Sequence, residues 1–271
     1  MSDENTHGMI VAAAGQVATG DQTLGTITLP ANGPWLIHHI FGQIAATTPT
    51  AAEGVGGYMR FEAASGDVTP NPAPSRWPVI SNSAHLGATV DQQSCPLAIF
   101  PVFWEAPGRA TINCIFNNIV AATAIPQVVM GMLFGKQIPV ERPFKFCDTV
   151  HVQTNSAADT AVGTITLSEK ATRITGVCGT LIMDGVVVTV QSLIGFFRLA
   201  SDDLDLVPAQ FPFPLAIGGG LGGLIQGANY PPIKFLPVDI PVVGGARINC
   251  FVDLNVAVTN NADVQVFIAY E

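Results

Sequence analysis

The chain has 271 residues, of which 48% are hydrophobic and only 11% are charged, a composition that excludes an intrinsically disordered protein. Its 11 lysines and arginines are outnumbered by 20 acidic residues, and they form no basic cluster that would bind nucleic acid directly. We expect no signal peptide and no transmembrane helix, because MSDENTHG is polar and no apolar run reaches about 18 residues.

The first half of the chain alternates polar and apolar residues in the way that is typical of half-buried β-strands. Turn sequences such as PANGP and APG separate the alternating segments at the spacing of a β-sandwich. Long loops are predicted at 64–75 and 81–96, and residues 84–93 are a candidate for a few helical turns. The eight strands predicted in this half lie near 9–14, 23–29, 35–46, 55–63, 76–80, 97–104, 109–120 and 127–134.

The second half shows the same pattern after a linker that contains two prolines. Pro139 and Pro143 prevent one continuous strand from joining the halves, because proline lacks the amide proton that a sheet needs. We therefore predict a first sandwich at 1–138, a linker at 139–146 and a second sandwich at 147–271. The eight strands predicted in the second half lie near 148–154, 162–168, 172–184, 187–200, 211–217, 233–240, 245–258 and 263–270.

Two phrases occur in both halves at nearly the same offset. Residues 101–114 and 237–250 share seven of fourteen positions and both end in Ile-Asn-Cys. The sequence Gly-Thr-Ile-Thr-Leu stands at 25–29 and again at 163–167. Self-similarity at a fixed period indicates repeated structural units, and two copies of about 130 residues indicate a duplicated domain rather than a solenoid.

The cysteines are predicted to be reduced and buried. None forms a Cys-x-x-Cys motif, and their odd number excludes a complete disulfide framework. Cys114 and Cys250 fall on the apolar side of the repeated strand, where a thiol behaves as a small hydrophobic group. The five cysteines are Cys95, Cys114, Cys147, Cys178 and Cys250.

A metal centre of the bicupin type, which resembles His-x-His followed by Glu and a further His, is not predicted. His38 and His39 are adjacent, so they should point to opposite faces of a strand and be unable to chelate together. We expect one of the pair to be buried near Trp35 and the other exposed, and the second half offers only His151.

Two polar segments are candidate ligand sites. GGGLGG at 218–223 lacks the lysine and the following helix of a phosphate-binding loop, which favours a plain loop. Asp202, Asp203 and Asp205 could hold calcium weakly, but they lack the ligand spacing of a calcium loop, which favours a solvated turn.

Arg60 and Arg198 occupy matching positions in the two halves. Two interpretations remain open: the arginines bridge subunits through acidic partners, or they simply face solvent. No arrangement of Ser, His and Asp suggests nucleophilic catalysis, so we predict no catalytic, cofactor-binding or metal-binding residue and no enzymatic activity.

The fold prediction is an all-β chain of two tandem jelly-roll-like antiparallel sandwiches. The whole chain resembles the double jelly-roll major capsid proteins of non-tailed icosahedral viruses, the lineage of adenoviruses and membrane-containing bacteriophages. The resemblance lies in the two-sandwich architecture, the length of the chain and its low content of charged residues. The resemblance implies a homotrimer, because two similar domains in each of three chains give six similar corners. It also implies a location in the virion capsid, assembled in the host cytoplasm, with other virion proteins at the vertices.

Two other classes of function stay open. One is a different virion component, such as a turret, spike, decoration or tail-associated protein. The other is a tandem carbohydrate-binding module, although Trp35, Trp77 and Trp104 all lie in the first half and none is repeated in the second. For a capsid protein, the loops at 64–75, 81–96 and the one predicted at 218–232 would form exterior towers and clasps between subunits, because sandwich loops gather at the two ends. An internal membrane beneath the shell is neither indicated nor excluded.

Overall fold

The seventeen strands of the described chain form sheets in which all strand pairings but one are antiparallel, and no helix is present among these residues, which confirms the all-β prediction. The same residues contain no helix long and apolar enough to cross a membrane. The computed structural model of the chain describes residues 7–15, 18–46, 53–63, 68–86, 89–94, 97–119, 126–136, 143–183, 195–204, 212–218, 233–254 and 262–271.

Nine strands lie in the first half and eight in the second. The first-half strands are β1 (His7–Ala14), β2 (Gly20–Thr28), β3 (Trp35–Ala46), β4 (Glu53–Ala63), β5 (Trp77–Leu86), β6 (Thr89–Ser94), β7 (Ala98–Ala106), β8 (Thr111–Asn118) and β9 (Pro126–Gly135). The second-half strands are β10 (Phe146–Thr154), β11 (Thr160–Thr166), β12 (Arg173–Met183), β13 (Gly195–Ala200), β14 (Phe213–Gly218), β15 (Leu236–Pro241), β16 (Arg247–Leu254) and β17 (Ala262–Tyr270).

The first half is a two-sheet sandwich with jelly-roll strand order. Sheet 1 has the order β1-β9-β3-β7, and sheet 2 has the order β2-β8-β4-β5-β6. Each sheet combines strands from both ends of the half, as expected when a long hairpin is rolled into two layers. Their facing side chains form a core that contains Trp77, Trp104 and Phe61.

The second half has the same strand order with one extra connection. Sheet 3 has the order β10-β17-β12-β15, and sheet 4 has the order β11-β16-β13-β14. Strand β14 also pairs in parallel with β12, and this pairing joins sheets 3 and 4 along one side. The predicted domain limits at 138 and 147 fall at the end of β9 and the start of β10, and they stay a prediction.

The repeated phrases form equivalent strand pairs. Thr26 Oγ1 donates a hydrogen bond to Asn113 Oδ1 over 3.0 Å, and Thr164 Oγ1 donates to Asn249 Oδ1 over 2.7 Å. Both threonines lie on the strand that pairs with the Ile-Asn-Cys strand of the same half. The two halves share this pattern of contacts, and the duplication itself stays a prediction.

The connection to the Ile-Asn-Cys strand turns at the same place in both halves. Arg109 adopts a φ of 66° and Gly245 a φ of 79°, so both lie in the left-handed region that favours glycine. The second half meets this demand with glycine, whereas the first half uses an arginine at the cost of local strain.

Residues 81–86 and 89–94 differ from the prediction of a loop at 81–96 with a few helical turns at 84–93. They form the end of β5 and all of β6, which pair with each other and extend sheet 2. An isolated helix of ten residues is marginal, and the edge of β4 provides a continuous backbone partner instead. The segments 64–67, 184–194 and 219–232, on which parts of three predicted elements fall, lie outside the described residues.

Candidate assembly surface

The outer surface of sheet 1, which we call the sheet-1 face, is apolar and open in the single chain. On β7, buried residues alternate with Ile99 and Phe103, whose exposed fractions are 42% and 41%. Ile10, on the opposite edge strand β1, is 63% exposed, and Leu97, just before β7, is 44% exposed. Large apolar side chains on one face at this exposure mark a surface that binds a partner.

A row of apolar residues crosses all four strands of the sheet-1 face. Ile10 pairs with Gly131, Gly131 with Phe41, and Phe41 with Ile99. The ring of Phe41 lies over Gly131, where a Cβ atom would be only 2.4 Å from the ring carbon Cζ. Gly131 therefore allows the ring to lie flat, and the face stays smooth enough to pack against another sheet.

Charge is nearly absent from the sheet-1 face. The neighbouring row consists of Gly8, Leu133, His39 and Pro101, and along the four strands as described the other ionisable group facing outward is Glu105. Burying an unpaired charge costs several kcal/mol, so a face with two titratable groups can be covered at little electrostatic cost.

The corresponding face of sheet 3 is covered inside the chain. Every residue of β17 is buried, including those that point away from the core of the second half. Phe267, Cys147 and Cys178, on the outer side of sheet 3, belong to the same apolar cluster as Trp77 of the first half. The first half thus shields the outer face of sheet 3, whereas the described chain leaves the equivalent face of sheet 1 open.

The start of β5 forms the centre of this contact between the halves. Trp77 is fully buried, and its ring centroid lies 6.2 Å from the rings of both Phe144 and Phe235. The Arg76 N–H donates to the Cys147 carbonyl over 2.8 Å, and the Cys147 N–H donates to Ser75 Oγ over 3.3 Å. Aromatic packing and backbone hydrogen bonds together close the edge of β10.

Polar side chains are also buried on the outer side of sheet 3. His151 Nε2 lies 2.9 Å from Asp263 Oδ1, and the Asp263 carboxylate is almost completely buried. Gln265 is fully buried, and neither polar atom of its side chain has a hydrogen-bond partner. Such groups lower the stability of the covered face.

A groove of 580 Å³ runs between the halves beside the sheet-1 face. Phe100, Phe144 and Phe235 line its floor, and Ile99 and Pro101 of β7 join it to the open face. Two ion pairs lie at its rim, Lys145–Glu271 at 3.8 Å and Arg173–Asp239. The groove thus adjoins the sheet-1 face, with an apolar floor and with charged residues, among them Lys234, in its lining.

The expectation that His38 and His39 point to opposite faces is wrong. The register of β3 shifts between Ile37 and His39, which inserts His38 as an extra residue. The two Nδ1 atoms lie 2.6 Å apart, with His38 buried and His39 half-buried on the sheet-1 face. Burial, followed by repulsion from His39, lowers the pKa of His38 to about 4, and burial also lowers the pKa of His39.

Trp35 is not the neighbour of the buried histidine. Its ring packs against His7 and Phe134, at centroid distances of 5.6 and 5.2 Å, and its indole N–H donates to the Pro30 carbonyl over 2.9 Å.

Both arginines of the repeated pair form ion pairs within the chain. Arg60 contacts Asp21 and Glu62, each over 2.9 Å, and Arg198 contacts Asp159. Asp21 and Asp159 stand four residues before the glycine of Gly-Thr-Ile-Thr-Leu in their halves, so the pair is repeated with its partner. Each guanidinium thus has an acidic partner within its own half, with Arg60 20% and Arg198 40% exposed.

Asp203, one of the three aspartates of the candidate calcium site, pairs with Arg247. Asp203 Oδ2 accepts a hydrogen bond from the Arg247 backbone over 3.1 Å and lies 3.4 Å from Arg247 Nε. The backbone hydrogen bond is the main cause that lowers the pKa of Asp203. A guanidinium at this place opposes cation binding, and Asp205 lies outside the described residues. Within the described parts of the chain, no three His, Cys, Asp or Glu side chains form a possible metal site.

The four described cysteines are free and buried, as expected for structural thiols. Burial raises the pKa of Cys114, Cys178 and Cys250 to about 12, and it raises that of Cys147 as well. A thiol that does not ionise at neutral pH is a poor nucleophile and a poor metal ligand. Cys95 and most of the 218–223 glycine segment lie outside the described residues.

The sequence carries a signal for the sheet-1 face that alternation does not reveal. Residues 97–104 read LAIFPVFW, a run that is apolar on both sides of the strand. Such runs are typical of strands buried on both faces. Strand β17 is apolar on its inner side and at Phe267 and Ala269 on its outer side, and it is buried on both faces, whereas β7 is covered on one.

No family model and no curated protein matches this chain. Similar solved structures include PNGF-II, at 8% identity and a TM-score of 0.43, which covers 97% of this chain and 65% of its own. PNGase F, a glycosylasparaginase from Flavobacterium meningosepticum, has 12% identity and a TM-score of 0.33 and covers 98% and 96%. The major capsid protein P2 of bacteriophage PM2 has 9% identity and a TM-score of 0.34 and covers 98% of both chains. This chain spans about two thirds of the length of PNGF-II.

Proposed function

We propose that this chain is a structural virion protein, and that it is the major capsid protein of an icosahedral shell built from its trimers. One observation carries the proposal: the sheet-1 face is apolar, nearly free of charge and open, while the equivalent face of sheet 3 is covered by a jelly roll. In the assembly, a neighbouring chain covers this open face.

The low content of charged residues supports a role as a subunit of an assembly. With 11% charged residues and a net charge of −9, large parts of the surface carry no charge that packing would strand. Closed rings are the usual form of homo-oligomers, and three chains with two jelly rolls each would present six similar sides. The expected location is the virion capsid.

The proposal gives the chain a structural rather than an enzymatic role. Its partners are copies of itself in the trimer and the lattice, together with other virion proteins at the vertices. Genome binding is not part of this role, because acidic residues outnumber basic ones by 20 to 11.

The mass of the purified particle tests the proposal. Light scattering at virion-like salt should give three times the 28.3 kDa of the chain, and electron microscopy should show capsomers of roughly hexagonal outline. A stable monomer without capsomers would overturn the proposal. A pentamer would overturn the shell assignment and indicate a turret or spike.

A further inference from the structure

The groove between the halves has an apolar floor that comes from three separate parts of the chain. Phe100 lies on β7, Phe144 precedes β10, and Phe235 precedes β15. The ring centroid of Phe235 lies 5.3 Å from that of Phe100 and 4.9 Å from that of Phe144. The groove volume of 580 Å³ falls within the range of small-molecule sites, about 300–1,000 Å³. The floor therefore offers room and apolar contact for a small ligand.

Uncharged hydrogen-bonding side chains are scarce in the lining. Among the described residues that line the groove, the uncharged polar one is Thr175, and its hydroxyl already donates to the Ala269 carbonyl over 3.3 Å. A sugar or a nucleobase brings several polar groups, and each one that is buried without a partner costs about 1–3 kcal/mol. The lining therefore disfavours ligands with many polar groups.

Three prolines in the lining disfavour an extended peptide. Pro101, Pro143 and Pro237 have no backbone N–H, and a peptide that adds to a sheet edge depends on such donors. The Pro101 carbonyl already accepts a hydrogen bond from the Phe144 N–H over 3.0 Å. The groove thus binds by apolar contact and charge rather than by backbone pairing.

The charged side chains of the lining leave one cation without a partner. Lys145 pairs with Glu271 over 3.8 Å, and Arg173 pairs with Asp239. The main-chain oxygen of Glu271 accepts from two backbone N–H groups, over 2.7 and 3.2 Å, so it is satisfied without a lysine. Lys234 is exposed and has no charged partner among the residues that the structure describes. Its ammonium group can therefore pair with one anionic group of a ligand.

We propose that the groove binds a single-chain amphiphile with one anionic head, of the chemical class of long-chain carboxylates. The alkyl chain lies on the phenylalanine floor, and the carboxylate pairs with Lys234. Such a ligand needs one cation and an apolar surface, and it needs no further hydrogen-bonding side chain. The inference goes beyond the proposed function and does not depend on it, because the groove lies within one chain.

A series of linear carboxylates tests the contribution of the floor. Titration calorimetry of the wild-type protein with octanoate, decanoate and dodecanoate, each below its critical micelle concentration, should give an affinity that rises about two- to fourfold for each added CH₂. Dodecyltrimethylammonium has the same chain and the opposite charge, and it should bind more weakly than dodecanoate. An affinity that does not depend on chain length, or equal binding of the two heads, would overturn the inference.

Replacing the unpaired lysine tests the contribution of the head. Lys234→Met removes the charge but keeps an unbranched side chain, and it should weaken dodecanoate binding about three- to tenfold. The matched control is Lys170→Met, which changes an exposed lysine in the turn between β11 and β12 and should bind as the wild type does. Far-ultraviolet circular dichroism checks that both variants are folded. Wild-type affinity in Lys234→Met, or an equal loss in the control, would contradict the proposed site.

A photoreactive analogue locates the chain of the ligand. Dodecanoate with a diazirine near the end of its chain should label peptides that contain Phe100, Phe144 or Phe235, and excess dodecanoate should prevent the labelling. Labelling of β1 instead, where Ile10 is exposed, would show adsorption to the open sheet-1 face and would overturn the inference. Labelling that excess dodecanoate does not reduce would overturn it as well.

A lipid bilayer presents similar chemistry, so it is tested separately. The inference assigns the groove to a free amphiphile, and vesicles of phosphatidylglycerol and phosphatidylcholine in equal parts should leave the wild-type protein in the supernatant after sedimentation. Sedimentation with the vesicles that Lys234→Met abolishes would show that Lys234 binds a lipid headgroup in a membrane, and it would overturn the assignment to a free amphiphile.

Discussion

His38 and His39 are consecutive in sequence, yet their Nδ1 atoms lie 2.6 Å apart. The extra residue inserted in β3 turns both rings towards each other. Only one of the two nitrogens can carry a proton in such a contact, because two protonated rings would repel each other at this distance. Burial lowers the pKa of both rings, so the pair is neutral in the folded chain at pH 7 and protonation opposes the fold.

This pair predicts a loss of stability in mild acid. The pKa of His38 is lowered from 6.5 to about 4, so the unfolded chain binds a proton that the folded chain does not. Stability is then fully present above pH 6.5 and falls as the pH decreases towards about 4. His38→Gln should flatten this fall in a series of thermal unfolding midpoints between these pH values, and His39→Gln should reduce it less. Equal slopes in the wild type and His38→Gln would contradict the prediction.

Asp148 predicts a pH effect of the opposite sign. Burial raises the pKa of this carboxyl, although a hydrogen bond from the Tyr270 hydroxyl over 2.7 Å opposes the shift. The folded chain therefore binds the proton more tightly than the unfolded chain, and stability falls as the pH rises from 3.8 through the raised pKa.

Asp148→Asn should consequently stabilise the chain at pH 7, by about 0.5–1 kcal/mol, because an amide still accepts from Tyr270 without carrying a buried charge. Urea unfolding at pH 7 measures the change. The control Asp159→Asn removes an exposed ion pair with Arg198 and should change stability by less than about 0.5 kcal/mol in the destabilising direction. A strong destabilisation by Asp148→Asn would show that the charge itself is needed.

Much of the fold follows from the sequence, because alternation is a local property. The inward side of the repeated strand is confirmed at Ile112 and Cys114, both of which are completely buried. The coverage of a sheet is not local: the outer side of β17 carries Asp263 and Gln265 and is nevertheless buried, because one half packs on the other, whereas the apolar outer side of β7 is open. The inserted residue at His38 was also missed, because a one-residue register shift leaves no mark on an apolar run.

The repeated arginines should differ in their contribution to stability. Arg60 is 20% exposed and separates Asp21 from Glu62, so Arg60→Met would leave two carboxylates facing each other. We expect a loss of about 1–2 kcal/mol for Arg60→Met and about 0.5 kcal/mol for Arg198→Met, because Arg198 is 40% exposed and has a single carboxylate partner, Asp159, besides its contact with the Phe251 ring. Urea unfolding measures the free energy of unfolding of both variants. Because the loss at Arg60 is partly repulsion, 1 M NaCl should reduce it.

The buried thiols should resist modification in the folded chain. The pKa of Cys114, Cys178 and Cys250 is raised to about 12, so little thiolate forms at pH 8. A thiol-specific chromogenic reagent should therefore react with these three and with Cys147 only as fast as the chain unfolds, and with all of them at once in denaturant. Rapid reaction of two or more thiols in the folded protein would contradict the burial of these strands.

Trp77 and Phe213 occupy equivalent positions, but Trp77 also stacks on Phe100 in the core of the first half, so its truncation should cost more. Trp77→Ala removes a fully buried ring that contacts Phe144 and Phe235, and we expect it to cost about 3–5 kcal/mol. Phe213 is half-exposed in the single chain, so Phe213→Ala should lower the stability of the dissociated chain by only about 1–2 kcal/mol. Urea unfolding of the dissociated chain measures both losses, and a loss in Phe213→Ala as large as that in Trp77→Ala would contradict the prediction.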